Sequence, residues 1–479
     1  MNLSSKIAYN TIIQFIGKII STVLGLISLA MMTRYLGQSG FGSYTTIITF
    51  ISFFAIIADL GLTLVTVQMI SRPGADEKKS LNNLFGLRLI SIIIFLGLAP
   101  VVAIFLPYSA AIKTGILVAA LSFLFPALNQ VIIGLFQKRL RMDKAVIAET
   151  IGRIILVIGI WLVLLSDRGL NGVLWASVIA AALNFIISYL LAADDFFIKP
   201  TFDLKIWQEI ITKSWPLAVT IVLNLLYLKT DTLILSLIKS PEEVGLYGAA
   251  YRIIDVLTTL PFMFAGIILP ILTASWFEEK KIYFNSVLQK SFDLMAIFSL
   301  PIIAGTLVLA RPIIVLVAGQ EFAGSGLILK ILIFALVAIF LGCMFAHGVI
   351  AINRQRKMIG AYIFVSITSL VFYLIFIPRF SYYGAAAVTI YSEAAIAFLS
   401  AYVVWRYTRF IPNLKIVGRA AMAAIIMWLG LLIIPESFYY TWLGLITSGG
   451  LSIILYLIVL YLIKGLTKDD LKILLNKKF

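Results

Sequence analysis

Fourteen long apolar segments, separated by short loops, dominate this 479-residue chain. Hydrophobic residues make up 62% of it and charged residues only 13%, about half of the charged share that soluble globular chains carry. A helix needs about 20 mostly apolar residues to cross a bilayer, so these segments occupy more than half of the chain. The sequence therefore predicts an integral membrane protein with no room for a soluble domain of ordinary size.

The predicted fold class is all-α, with about 14 transmembrane helices. A helix satisfies its backbone hydrogen bonds within one segment, which the lipid interior requires, and the alternating pattern of a membrane β-barrel is absent. The expected spans are 11–33, 41–70, 84–106, 111–135, 147–166, 172–193, 213–238, 246–273, 290–311, 327–350, 358–378, 383–405, 416–434 and 441–463.

The placement of Lys and Arg predicts the orientation in the membrane. If the N-terminus is cytoplasmic, most of the 38 basic residues lie in the inner loops and termini and few lie in the outer loops. We therefore expect both termini in the cytoplasm. The net charge of +16 is then dispersed over surfaces that face anionic lipid, which argues against nucleic acid as a partner.

The basic run Lys138–Lys144 fits either a topological anchor or a site for an anionic lipid head group.

Single copies of two reactive residue types limit the chemistry that the chain offers. Cys343 is the only cysteine and His347 the only histidine. Neither an internal disulfide nor a multi-cysteine metal site is expected, and no cofactor is implied. The N-terminus also lacks the features of a cleaved secretory signal, so we expect the first span to be retained.

Two halves of the chain resemble one another. Gly42 and Tyr44, after the first span, correspond to Gly245 and Tyr247, after the seventh, at an offset of 203 residues. Six spans recur in the same order, so we expect two lobes related by an axis along the membrane normal, with a cavity between them and alternating access. The expected organisation is an N-terminal six-helix lobe at 1–193, a cytoplasmic linker at 194–213, a second six-helix lobe at 214–410, and two extra helices with a basic tail at 411–479.

Charged residues inside the predicted spans are candidates for function, because each one near the bilayer centre costs about 2.5–3.5 kcal/mol unless it is paired or hydrated. Lys229 and Asp231 lie in span seven, and Arg252 and Asp255 lie in span eight. Their depths, at about 1.5 Å per residue, predict the pairs Asp231–Arg252 and Lys229–Asp255. Such a quartet either faces a wet cavity that binds substrate or locks the lobes together.

The first lobe has a weaker set of the same kind. Lys18 and Asp59 are placed to pair, as are Glu149 and Arg153, four residues apart on one helix. Glu393 lies near the midplane of span twelve without an obvious partner, so it is a candidate proton or Na⁺ site or, alternatively, a buried protonated glutamate. Three cations near span ends are expected to extend to the membrane surface: Arg88, Lys330 and Arg419.

Several ordered segments carry a resemblance to a known family. They are RYLGQSGFGSY (34–44) with ADLGL (58–62), KTDTLILSLIKSPEEVGLYGAAYRI (229–253), GQEFAGSGLILKIL (319–332), IAINRQRK (350–357) and IPRFSYYGAAAVTIYSE (377–393). In this order they resemble the Wzx-like polysaccharide flippases of the multidrug/oligosaccharidyl-lipid/polysaccharide exporter superfamily. The resemblance spans nearly the whole chain.

The resemblance implies a carrier in the plasma or inner membrane that moves a polyprenyl-linked oligosaccharide to the outer leaflet. It also implies that the substrate phosphates are held by Lys18, Arg153, Lys229 and Arg252. The charges themselves, and not the resemblance, make Asp59, Asp231, Asp255 and Glu393 the expected residues for charge balance or for H⁺ or Na⁺ coupling. Two pseudo-symmetric lobes make a monomer sufficient, and no enzymatic activity is expected. The alternative is a cation-coupled drug antiporter of the same superfamily. A membrane glycosyltransferase is disfavoured because the outer loops are short and the single His lies inside a span.

Overall fold

The computed structural model describes residues 3–59, 61–70, 76–193 and 197–465, and all regular structure within them is helical. Three short 3₁₀ turns, Gln320–Gly324, Gln355–Lys357 and Glu436–Tyr440, lie between the α-helices. The α-helices are α1 Leu3–Asp59, α2 Leu62–Ile70, α3 Glu77–Ile104, α4 Ala110–Lys138, α5 Met142–Ser166, α6 Gly169–Ala193, α7 Leu204–Ile238, α8 Pro241–Phe277, α9 Lys281–Ala318, α10 Ser325–Ala351, α11 Met358–Thr408, α12 Lys415–Ile433 and α13 Trp442–Leu462.

Two of these helices are interrupted by one residue with non-helical backbone angles. Gly37 (φ 62°, ψ −174°) divides α1, and Ser381 (φ 51°, ψ −134°) divides α11. Within the described residues, eleven helical segments are long and apolar enough to cross a membrane. The two interruptions and the 35-residue α7 bring this number to the predicted fourteen. The all-α, fourteen-span architecture is therefore confirmed.

Large apolar side chains cover much of the outer surface of these helices. Ile94, Leu162, Phe364 and Leu451 are each more than half exposed, at 53–64% of their full area. Contiguous apolar surface of this extent is unusual for a protein in water. The exposed faces therefore contact lipid hydrocarbon, as expected for a multi-pass membrane protein.

The chain separates into two compact units, Met1–Gly245 and Leu246–Phe479. In the first unit, α1, α3 and α4 share a core that includes Ile47, Leu84 and Ile116. Helices approach closely where a small residue meets a larger side chain: a methyl group placed on Gly152 of α5 would lie 2.8 Å from Cβ of Asn184 on α6. The predicted lobe boundaries at 193, 214 and 410 stay predictions.

The segment before α7 is held against the start of α3. The side-chain oxygen of Asn82 accepts from the backbone N–H of Lys199 at 2.9 Å, and that of Asn83 accepts from Asp203 at 2.9 Å. The backbone N–H of Thr201 also donates to the carbonyl of Asn82 at 3.2 Å. Part of the predicted linker is thus fixed to the first unit, and α7 begins at Leu204. Residues 194–196 of that linker lie outside the described residues.

Asp203 caps the N-terminus of α7. Partial desolvation alone would raise its pKa. Hydrogen bonds from the backbone N–H groups of Ile206 and Lys205, together with the positive charge of Lys79, outweigh this effect and lower the pKa of Asp203 below its usual range. The carboxylate therefore stays ionised and keeps capping the helix in mildly acidic solution.

The basic run after α4 is used for contacts inside the protein. Lys138 and Arg139 contact the two carboxylate oxygens of Glu77 on α3, at 2.9 and 3.1 Å. Lys144 is buried and donates to the backbone carbonyl of Leu191 at the end of α6, at 2.6 Å. These contacts tie α3, α4, α5 and α6 together. Whether the run also acts as a topological anchor or as a site for a lipid head group stays a prediction.

In the second unit, α12 and α13 pack against α9. The contact is built from small and aromatic residues, including Ala420, Ala424 and Tyr456. The Tyr456 hydroxyl donates to the carbonyl of Ile297 at 2.8 Å, at the position where Pro301 leaves that carbonyl without its helical donor. The two C-terminal helices are therefore attached to the second unit by specific contacts.

Candidate transport site

The clearest exposed charge pair inside a span lies on α8. Arg252 and Asp255 are three residues apart on one helix face, and Nη1 of Arg252 lies 3.9 Å from Oδ2 of Asp255. Their side chains are 42% and 40% exposed. At this distance the ion pair is weak, so the guanidinium of Arg252 is able to bind another anion in place of the Asp255 carboxylate. The Asp255 carboxylate would then remain partly exposed to solvent and not buried without a partner.

Lys229 and Asp231 lie on α7, in the first unit. Asp231 is fully buried, and its Oδ1 accepts from the backbone N–H of Thr232. Lys229 is partly exposed. The expected pairs Asp231–Arg252 and Lys229–Asp255 join residues of the first unit to residues of the second, and they stay predictions.

A second ion pair lies in the first unit, between α1 and α3. Nη2 of Arg88 contacts Oδ1 of Asp59, and the Thr63 hydroxyl contacts the same oxygen. Both terminal nitrogens of Arg88 also lie 3.2 Å from Thr63 Oγ1. The Arg88 side chain is 3% exposed and that of Asp59 16%. This group of three residues is thus closed to solvent. Among the described residues, the buried Nε of Arg88 has no hydrogen-bond partner.

This pairing differs from the sequence-based expectation. Asp59 pairs with Arg88 instead of Lys18, and the expectation that Arg88 extends to the membrane surface is wrong. Thr63, four residues after Asp59, lies beside the same carboxylate oxygen and beside both terminal nitrogens of Arg88. Because Arg88 lies three turns inside α3, this carboxylate is a nearer partner than the lipid surface.

The remaining first-lobe candidates are not brought together by ion pairs. Lys18 on α1 and Arg153 on α5 are both exposed, and Glu149 is partly exposed. Among the described residues, Glu149 and Arg153 form no ion pair despite their favourable spacing on one helix. Lys18 and Arg153 are therefore accessible cations, and their predicted role in binding phosphate stays a prediction.

Glu393 is buried in the second half of α11, at 8% exposure. Tyr362, from the first half of α11, lies within its electrostatic reach. One turn before Glu393, Thr389 Oγ1 lies 3.3 Å from the hydroxyl of Tyr247 and 3.4 Å from that of Tyr373. Sequence reasoning missed these hydroxyl groups, although Tyr247 belongs to the repeat motif that it identified.

The repeat motif also marks a close crossing of two helices within Met1–Gly245. A methyl group placed on Gly42 would lie 1.7 Å from the carbonyl oxygen of Pro241, and one on Gly245 would lie 2.2 Å from that of Gln38. Gln38 and Pro241 are related by the same offset of 203 residues as the two glycines. Only glycine lets the two backbones touch in this way, which explains why the motif has it at both positions.

Known proteins share this architecture. The lipid II flippase MurJ, in an inward closed conformation, matches with a TM-score of 0.76 at 15% identity, covering 94% of this chain and 98% of MurJ. An inward-facing multidrug resistance MATE family transporter of the MOP superfamily matches with a TM-score of 0.69 at 15% identity, covering 83% of this chain and 98% of the transporter. At this level of identity the two likenesses establish the fold.

Sequence comparison places the chain in a family. The capsular polysaccharide biosynthesis protein CapF of Staphylococcus aureus is 23% identical over 297 residues, which are 60% of this chain and 74% of CapF. The family described as polysaccharide biosynthesis protein matches residues 7–276, more than half of the chain. The protein therefore belongs to the polysaccharide biosynthesis protein family.

Proposed function

We propose that this protein is a flippase that moves polyprenyl-linked oligosaccharide units from the cytoplasmic to the outer leaflet, for the export of a polysaccharide or glycan. The observation that carries the proposal is the combination of two findings. The chain belongs to a polysaccharide biosynthesis family, and 94% of it has the fold of a lipid II flippase. It acts as a transporter and not as an enzyme.

Transport proceeds by alternating access of two lobes, with the sugar head group in a central cavity and the lipid tail in the bilayer. The weak Arg252–Asp255 pair supports a role in phosphate binding. The planar guanidinium group can donate two parallel hydrogen bonds to phosphate oxygens, which is a better geometry than its 3.9 Å contact with the Asp255 carboxylate. The proposed phosphate-binding residues are Lys18, Arg153, Lys229 and Arg252. The proposed charge-balancing residues are Asp59, Asp231 and Asp255.

Glu393 is the proposed site of H⁺ or Na⁺ coupling. Its burial and its interaction with Tyr362 support this role. A buried carboxylate is costly while it is charged, and binding a proton or a small cation neutralises it. The protein is further proposed to work as a monomer in the plasma or inner membrane, with both termini in the cytoplasm. The excess of Lys and Arg in alternate loops supports that orientation.

A cation-coupled antiporter of small molecules is the second candidate. The MATE transporter supports it with a TM-score of 0.69, but it covers 83% of this chain where MurJ covers 94%. The polysaccharide family match also favours the flippase.

The direct test is leaflet transfer in proteoliposomes, using a labelled polyprenyl-pyrophosphate oligosaccharide that is probed from outside. Wild-type protein is compared with Lys229→Gln and Arg252→Gln at equal reconstitution. We expect transfer by the wild type and at least a tenfold slower rate in each variant, since each loses one cation for the phosphates.

The outcomes separate the hypotheses. Transfer that survives both substitutions keeps the flippase and makes the charges structural. Absence of transfer with several sugar head groups, together with ion-driven uptake of small cations, overturns the proposal in favour of the antiporter.

A further inference from the structure

The loop between α10 and α11 presents three cations at a pocket. The pocket has a volume of about 640 Å³ and is lined by Asn353, Arg354, Gln355, Arg356 and Lys357. All five side chains are exposed. Within 3–59, 61–70, 76–193 and 197–465, no carboxylate forms an ion pair with any of the three cations. The pocket is therefore strongly positive and not neutralised from inside.

The loop has a fixed backbone. Asn353 adopts a left-handed conformation (φ 54°). The backbone N–H groups of Arg354 and Lys357 donate to the carbonyls of Val349 and Arg354, at 3.0 and 2.9 Å. On both sides the chain is anchored by buried side chains, those of Ile352 and Met358. The cations are thus displayed from a defined turn.

One of the cations is also held by an aromatic ring. The guanidinium of Arg354 lies 4.5 Å from the ring centre of Tyr407, near the end of α11. Two residues earlier on α11, Trp405 stacks under Arg409 at 5.5 Å. Arginine, tyrosine and tryptophan together are typical of the membrane interface, so this end of α11 lies at the level of the lipid head groups.

The corresponding loop of the first unit has the same backbone conformation, but its cations are paired with protein groups. Leu140 (φ 52°) takes the place of Asn353, and Arg141 and Lys144 make the backbone hydrogen bonds of Arg354 and Lys357. There, however, the cations contact protein groups: Arg141 lies 3.3 Å from Asp143, and Lys144 bonds the Leu191 carbonyl.

In the second unit, Arg356 takes the place of Asp143. The two loops thus share one backbone conformation, but the second has a cation at the position where the first has the anion that balances its charge. The three exposed cations of this loop are therefore accessible to an anion from outside the protein.

We propose that the loop Asn353–Lys357 binds the phosphate of an anionic phospholipid head group, with Arg354, Arg356 and Lys357 as its ligands. The phosphate oxygens accept hydrogen bonds from the two guanidinium groups and the ammonium group. This site needs only that the loop face a head-group layer, so it stands or falls independently of the transported substrate.

The test measures binding of dansyl-labelled phosphatidylglycerol to the full-length protein in detergent, by energy transfer from tryptophan. The triple variant Arg354→Gln, Arg356→Gln, Lys357→Gln removes the site. A matched variant, Lys205→Gln, Lys281→Gln, Lys290→Gln, removes the same charge from other exposed positions. Because each cation near an anionic surface contributes roughly fivefold in affinity, we expect at least tenfold weaker binding in the first variant and less than threefold in the second.

A further variant tests the geometry of the site. Tyr407→Leu keeps every charge but removes the ring under Arg354, and we expect two- to threefold weaker binding. General attraction to a basic surface would leave this variant unchanged. Equal weakening in the two triple variants, or equal binding of phosphatidylcholine by the wild type, overturns the proposal.

Two competitors identify the source of the phosphate. Soluble pyrophosphate that displaces phosphatidylglycerol at equal concentration would make this a free-phosphate site. Binding of polyprenyl pyrophosphate without binding of phosphatidylglycerol would assign it to the transported lipid. Either result overturns the phospholipid proposal. Unchanged elution and thermal unfolding of the variants show that they are folded.

Discussion

The two units of the chain treat charges inside the membrane in opposite ways. In the first, Arg88 and Asp59 form a closed pair whose side chains are 3% and 16% exposed. In the second, Arg252 and Asp255 are 42% and 40% exposed and lie 3.9 Å apart. The closed pair joins two helices away from solvent, whereas the guanidinium of the open pair is accessible to a ligand.

The loops at the membrane surface repeat this contrast. The cations after α4 bond Glu77, Asp143 and a backbone carbonyl, whereas those after α10 have no such partners among the described residues. The internal repeat of this chain therefore preserves backbone geometry more strictly than charge balance. Charges that are paired inside one unit are expected to affect stability, and their open counterparts are expected to affect ligand binding.

The strongest test of the closed pair is Arg88→Met. It leaves the Asp59 carboxylate in a mostly buried site without its cation, which lowers the free energy of unfolding by about 3–5 kcal/mol. Denaturant unfolding of the detergent-solubilised protein measures this loss.

The matched control for Arg88→Met is the double variant Asp59→Leu, Arg88→Met. Replacing a whole buried pair by apolar residues is often close to neutral, so the double variant should recover most of the stability. A double variant as unstable as the single one would show that packing, and not the ion pair, accounts for the effect.

At the contact between Gly42 and Gly245, both copies of the repeated motif have the same role, since each glycine lies against the backbone of the other copy. Gly42→Ala puts a methyl group 1.7 Å from the Pro241 carbonyl, so we expect a loss of about 1–3 kcal/mol from overpacking. Gly245→Ala should lose a similar amount, and the two together less than the sum because they share one contact. Thermal unfolding of the three variants measures this.

Gly25 on α1 provides the control, because a methyl group placed there would meet no atom within 4 Å apart from its own turn of helix. Gly25→Ala should be neutral or stabilising by up to about 1 kcal/mol, since alanine favours the helix. If Gly42→Ala proved as harmless as Gly25→Ala, the close crossing would not exist in solution.

A smaller loss is expected from Glu77→Gln. Its two ion pairs, with Lys138 and Arg139, are about one quarter exposed, so solvent screens them and their loss is worth about 1 kcal/mol. Unfolding at low and high salt checks the origin: the difference between wild type and variant should shrink as ionic strength rises. A difference independent of salt would point to hydrogen bonding alone.

The fourteen spans were predictable because hydrophobicity over about 20 residues is a local property. The partner of Asp59 was not, since it depends on which face of α3 packs beside the end of α1. Gly42 and Gly245 were recognisable as a motif. The reason for glycine at both positions became clear only from the structure, in which the two backbones, 203 residues apart in sequence, are in contact. The Tyr247, Thr389 and Tyr373 hydroxyl group was hidden for the same reason.

The smallest effect on stability is expected for the open pair. Arg252→Gln and Asp255→Asn each remove a half-exposed partner at 3.9 Å, and exposed ion pairs contribute at most about 1 kcal/mol. We therefore expect unfolding midpoints close to that of the wild type for both variants, while Arg252→Gln slows lipid transfer at least tenfold and Asp255→Asn does not. This separation of transport from stability distinguishes a binding arginine from a structural one. If Arg252→Gln lost as much stability as Arg88→Met, the Arg252–Asp255 pair would be structural like the first pair, and Arg252 would not belong to the substrate site.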